Sequence, residues 1–193
     1  MTDQAPELPV RRFPSVKAWE RWLARNHARS RGVWLEIAKK GAAATTVSHA
    51  EALDVALCYG WIDGVRHKHD ETYFRQRFTP RTRTSRWSKI NRDKVVALVA
   101  AGRMQPSGQA EIDAAKADGR WDAAYAGSRS IEVPDDLARA LRRNATARRA
   151  FETLDRRNRY AILYRVHDAK RPETRSRRIE TFVTMLAEGR TIH

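Results

Sequence analysis

Between Trp61 and Asn91 the chain gathers the side chains best suited to hold an anion. They are Arg75, Arg77, Arg81 and Arg83, with Ser88 and Asn91 behind them and Trp61, Tyr73 and Trp87 interleaved. Guanidinium groups make paired, charge-assisted hydrogen bonds to phosphate or carboxylate, and a helix start beside them adds free amides. The three rings would supply a stacking wall. The plainer alternative is a capped loop whose arginines are solvated. Asp63 lies in Gly60-Trp-Ile-Asp-Gly64, where Gly64 admits a closely approaching backbone or ligand. If it shares a face with Trp61 and His67, Asp63 could orient an arginine or act as a general base. Its alternative is a structural salt bridge to Arg75 or Arg77.

Other reactive groups are sparser. His67, His69 and Asp70 offer two imidazoles and an acid in a turn, too few for a metal site, and no metal or cofactor is expected. Cys58 with His49 or His67 has the residue types of a nucleophile and base. Its place beside Leu57 on an apolar helix favours an inert buried thiol. As the only cysteine, it excludes an intrachain disulfide.

The net charge of +15 draws anionic partners: an anionic small molecule, an acidic protein surface or nucleic acid. Two zones carry the excess, residues 66–92 with 9 basic against 2 acidic groups and residues 139–178 with 14 against 4. In the second, Arg171, Arg175 and Arg178 align on one helical side, a stripe able to track a nucleic-acid backbone. No zinc-finger or RNA-binding motif accompanies it. Because 30 of the 38 basic residues are arginine and alanine numbers 29, codon bias in a GC-rich genome explains the same balance. The N-terminus lacks a basic stretch followed by an apolar run, and no window approaches the length of a membrane span, so a cytoplasmic protein without a transmembrane segment is expected.

These side chains need elements to place them. Leu8 and Val10 read as a short strand, and Ser15 caps a helix with Trp19, Trp22 and Leu23 on one face. Val33, Leu35 and Ile37 alternate with Trp34, Glu36 and Ala38 as a half-buried strand. Ser48 and Glu51 form a capping box for a helix stopped by Gly60. Trp61–His67 and Thr72–Thr79 then read as a strand pair, joined by a turn at 68–71. In the second strand Phe74 and Phe78 point one way and Tyr73, Arg75, Arg77 and Thr79 the other. Helices dominate thereafter: Asn91 to Gly102, Pro106 to Asp118, and further ones starting at Pro134, Asp155 and Pro172.

Several boxes resemble a known family. They are Glu51-Ala-Leu-Asp54, Cys58-Tyr-Gly-Trp-Ile-Asp-Gly64, Gln76-Arg-Phe-Thr-Pro-Arg81, Ser85-Arg-Trp-Ser-Lys-Ile-Asn91 and Ala101-Gly-Arg-Met104. Ala117-Asp-Gly-Arg-Trp121 and Ala169-Lys-Arg-Pro-Glu-Thr-Arg175, followed by Arg178 and Ile179, complete the set. Together they are similar to the bacterial YdeI/OmpD-associated, or bacteriocin-protection, proteins. The resemblance implies a link to envelope stress and antimicrobial-peptide resistance and a periplasmic setting, from which the missing leader departs. It carries no catalytic residues.

The expected fold is α+β: a small, mainly antiparallel sheet with N-terminal helices, then a helical C-terminal half. The expected division is an α+β domain over residues 1–126, a linker over 127–133 and a helical subdomain over 134–193 packed on it. The preferred role is binding an anionic ligand or acidic partner at the 61–91 surface in stress or bacteriocin protection. Nucleic-acid binding, and catalysis on an anionic small molecule, are the alternatives, with binding preferred over catalysis.

Overall fold

The computed structural model describes residues 7–193. Four strands, β1 (Val10–Arg11), β2 (Val33–Ala38), β3 (Trp61–Lys68) and β4 (Tyr73–Pro80), form one sheet in the order β1-β2-β4-β3. β1 runs parallel to β2, and the other two pairings are antiparallel. The period-2 pattern of β2 and β4 decides which face is core. Val33, Leu35 and Ile37 lie opposite Phe78, Gln76 and Phe74, and all six are buried. Trp34, Glu36 and Ala38 lie opposite Arg77, Arg75 and Tyr73 on the other face. Of these, only Glu36 is fully buried. The fold is α+β, with the mainly antiparallel sheet in the first half and helices alone in the second.

β3 departs from simple alternation. Its register against β4 shifts between Asp63 and Arg66, so that Asp63 faces Phe78 but Arg66, not Val65, faces Gln76. This extra residue is a β-bulge, and it inverts the facing of everything after it. The buried Gln76 amide donates to the carbonyls of Gly64 at 2.8 Å and Val65 at 3.3 Å, satisfying the groups the bulge leaves unpaired.

Local capping sets the first helices. Ser15 caps α1 (Val16–Asn26), and Ser48 with Glu51 forms the reciprocal capping box of α2 (His49–Cys58). α3 (Lys89–Ala100) is capped by Ser88, whose hydroxyl accepts the Asn91 amide at 3.1 Å. Asn91 is therefore inside the first turn, three residues past the cap, and not the cap itself. α4 (Pro106–Ala117) starts with proline at its first position, where no backbone donor is lost.

The chain divides after Ala124 into two compact units. The core of the first joins Trp19, Leu23, Val33, Leu35, Trp61, Phe78, Trp87 and Val95. The second unit holds α5 (Asp135–Arg143), α6 (Ala145–Thr153), α7 (Arg156–Asp168) and α8 (Pro172–Ala187) around Leu137, Leu141, Phe151, Ile162, Phe182 and Leu186. Asn144 ends α5 and, accepting the Ala147 amide at 3.0 Å, caps α6. The stretch read as one helix from Pro134 is thus two, because an asparagine side chain competes for backbone donors. Within the 127–133 segment, Ile131 and Val133 pack on this second core.

Candidate functional site

The open face of the sheet is where β4 displays Tyr73, Arg75 and Arg77. The structure brings these three together, and it adds residues from both neighbouring strands. On one side is a closed charge cluster centred on Glu36. Its carboxylate accepts from Arg12 Nη2 at 2.7 Å and from Arg75 Nε and Nη2 at 3.2 and 3.1 Å. His69 Nε2 lies 3.1 Å away. Burial pushes the Glu36 carboxyl up, but the Arg12 and Arg75 hydrogen bonds outweigh it and hold the group below its usual value. The same carboxylate raises the Arg12 guanidinium. Arg12 also stacks on Tyr73, 3.8 Å from the ring centre. Arg75 and Tyr73 therefore spend their binding capacity inside the protein.

Because its folded pKa is depressed, Glu36 contributes stability that is full above about pH 4.3, the ordinary carboxyl value. That contribution is lost as pH falls through the lower folded value. We expect Glu36→Gln to cost about 1–2 kcal/mol at neutral pH, the scale of partly exposed charged hydrogen bonds. Urea unfolding of both forms should show the difference shrinking below pH 4.3; a constant difference down to about pH 2 would refute the assignment.

Arg77 is different. Its Nε is buried and has no hydrogen-bond partner, and no ion pair is formed by it among the described residues. The guanidinium lies over Gly64, where a Cβ would sit 2.9 Å from Nε and 3.2 Å from Nη2. Gly64 is thus required by the close approach of an arginine, and its own φ is unexceptional. Directly across from Arg77 on β2 is Trp34, whose ring meets that of His67 at 4.7 Å with planes 32° apart. His67 reaches this face because the bulge turned it over; it is paired with Arg75. Without the extra residue it would share the face of Trp61 and Asp63, as the sequence alternation suggested.

The remaining sequence candidates lie elsewhere. Trp61 and Trp87 are core residues at 1% and 2% exposure, so neither forms a displayed stacking wall. Their size explains it: burying an indole contributes more than leaving it beside solvent. Arg81, 5% exposed, stacks on Trp87 at 3.6 Å and donates to the Arg86 carbonyl at 3.2 Å. Arg83 is exposed in the loop before α3, away from the β4 pair in sequence. Ser88 and Asn91 are buried, and their contact is the helix cap.

Asp63 pairs with neither arginine. Its Oδ2 lies 3.0 Å from His49 Nε2, on the helix-bearing side of the sheet. A carboxylate so placed orients an imidazole. The adjacent hydroxyl, Ser48, is already bound to Glu51 at 2.7 Å. Cys58 ends the helix that His49 begins, and nine residues of helix separate them by about 13 Å. Burial also pushes the Cys58 thiol up, against the thiolate a nucleophile requires. His67 and His69 do not converge: one meets Trp34, the other Glu36 and Asp70. No group of three or more metal-ligating side chains occurs among the described residues.

The basic stripe of the second unit is largely internal wiring. Arg175 makes a two-point pair with Asp136 at 2.5 and 2.9 Å and donates to the Val166 carbonyl at 2.7 Å, tying α5, α7 and α8 together. Its hydrogen bonds hold Asp136 below the usual carboxylate range. Arg178 donates to the Arg165 carbonyl at 2.5 Å and lies 3.6 Å from Asp168. Only Arg171 of that trio is exposed.

Trp34 and Glu36 were not among the sequence candidates for the site, and His67 was considered only as a metal ligand, a base or a neighbour of Asp63. Trp34 and Glu36 were legible as the outward face of β2, but their neighbours depend on strand register. No helix among the described residues is long and apolar enough to cross a membrane. Two family models match the chain. Residues 130–189 match the bacteriocin-protection, YdeI or OmpD-associated family, and residues 11–111 match a domain of unknown function, DUF8412. No curated protein and no solved structure matches. Most boxes that suggested the first family, from Glu51 to Met104, fall within the second match. The chain belongs to the DUF8412 family over just more than half its length, and within its second unit residues 130–189 match the model of the YdeI/OmpD-associated family.

Proposed function

We propose that this YdeI/OmpD-associated protein serves in stress or bacteriocin protection by binding an anionic ligand on the open sheet face, with Arg77 as the anchoring cation. One observation carries the reading: among the arginines of that face, Arg12 and Arg75 share the Glu36 carboxylate as acceptor, and Arg77 alone has none. A half-buried guanidinium without a carboxylate has been partly desolvated with no partner in return. An incoming phosphate or carboxylate supplies the missing acceptor. Gly64 leaves the room for the guanidinium to lie flat, and β3 is exposed from Gly64 onward. The contribution expected of such a site is binding, with no reaction assigned to it.

Titration of the protein with pyrophosphate, followed by amide and guanidinium NMR shifts, tests this. Arg77→Ala should weaken binding about 10- to 100-fold, the equivalent of one or two charged hydrogen bonds. Arg83→Ala, an exposed arginine of the same basic zone, should leave it within about twofold. Equal affinities for wild type and Arg77→Ala, with both melting alike, would refute the site.

A further inference from the structure

Taking the anion site at Arg77 as its basis, we infer that the ligand carries a flat unsaturated ring beside its anionic group. The chemistry is that of a nucleotide, whether free or within a single strand: the phosphate meets Arg77, and the base packs on the ring pair of Trp34 and His67.

Three features of the open face support this. First, Trp34 is the cross-strand partner of Arg77, which sets their Cβ atoms about 5 Å apart. The Arg77 guanidinium turns toward Gly64 on β3, and the Trp34 ring reaches across β4 in the same direction to meet His67 of β3. Second, Trp34 already holds one flat ring: His67 meets it at 4.7 Å with the planes tilted by 32°, and His67 is itself exposed, so the ring pair presents a π surface to solvent. Third, the other aromatic of the face is occupied: Arg12 covers Tyr73 at 3.8 Å and is held there by Glu36. The unoccupied cation and the exposed ring pair are thus the same corner of the sheet.

The charge pattern limits the anion. Arg75 is bound to Glu36, so a single guanidinium faces the ligand, which suits one phosphate group better than a polyphosphate chain. Arg66 and Lys68 of β3 are exposed but face Gln76 and Phe74 on the other side of the sheet, Arg66 stacking on Phe74 at 3.5 Å, so they add only long-range attraction for anions. An aromatic platform with few cations is also how single strands are held with little sequence preference, since every base has a π-face.

The test compares inorganic phosphate, ribose 5-phosphate, a nucleoside monophosphate and a short single-stranded oligonucleotide on the full chain, read by calorimetry and indole NMR shifts. The monophosphate should bind about 10-fold tighter than ribose 5-phosphate, the scale of one base stacked on an aromatic ring. Trp34→Ala should erase that ratio while leaving ribose 5-phosphate affinity unchanged. His67→Ala, at an exposed position with no fold to disturb, should reduce the same ratio. Tighter binding of the oligonucleotide than of the monophosphate assigns the ring to a strand, and equal binding assigns it to a free nucleotide. Equal affinity for ribose 5-phosphate and the monophosphate, or a preference that survives both substitutions, overturns the inference and leaves the anion site standing. No binding of any phosphate by the wild type overturns the anion site itself.

Discussion

Replacing Trp61 with alanine is expected to lower the stability of the first unit by about 3–5 kcal/mol, the range for deleting a fully buried indole. Trp61 is 1% exposed, packs edge-on to Trp19 and Trp22 at 6.4 and 5.9 Å, and donates its indole N–H to the His27 carbonyl at 3.1 Å. The substitution therefore removes ring contacts and orphans a carbonyl together. Guanidinium unfolding followed by circular dichroism would show the midpoint fall. Phosphate affinity of the remaining folded protein should not change, because Trp61 lies on the core side of the sheet, opposite Pro80. Preserved stability with lost ligand affinity would return Trp61 to the role of a stacking wall.

The second large effect is expected at Gly108. In an ordinary helix, Gly→Ala gains about 1 kcal/mol through reduced backbone entropy in the unfolded chain. Here the sign reverses. A Cβ at Gly108 would fall on the Cys58 carbonyl oxygen, with Met104 Sδ at 2.6 Å and Cys58 C at 2.7 Å. The thioether can move, but the carbonyl ends α2 and accepts the Gln105 amide at 3.1 Å. Overpacking against fixed backbone costs about 1–3 kcal/mol and sometimes more, so Gly108→Ala should be destabilising by about 2 kcal/mol net. Thermal unfolding decides it: a raised melting temperature would mean that α4 can shift away from α2.

The sequence candidates for the site separated along physical lines. Those defined by strand alternation stayed together, since Tyr73, Arg75 and Arg77 alternate with Phe74, Gln76 and Phe78 and cannot change face without the whole strand slipping. Those grouped only by nearness in sequence dispersed. Trp87, Ser88 and Asn91 follow closely after Arg83, yet the chain folds them inward while Arg83 stays in solvent. A run of arginines says nothing of which ones find acceptors. Arg75 found Glu36, 39 residues earlier, and Arg175 found Asp136, 39 residues earlier in its own unit.

By itself, the sequence determined the elements: the Ser15 and Ser48 caps, the Gly60 stop, and the inward faces of β2 and β4 all follow from local patterns and rotamer-scale chemistry. It also held the family resemblance in its boxes. Tertiary structure alone decided what those faces mean. Register put Trp34 opposite Arg77 and Glu36 opposite Arg75, and one extra residue at Gly64–Val65 carried His67 from the core face to the open one. Each outcome depends on which strands pair and where, a long-range choice set by burying Val33, Leu35, Phe74 and Phe78 together. The identity of the free arginine is a consequence of that pairing, and so could not be read from the arginines themselves.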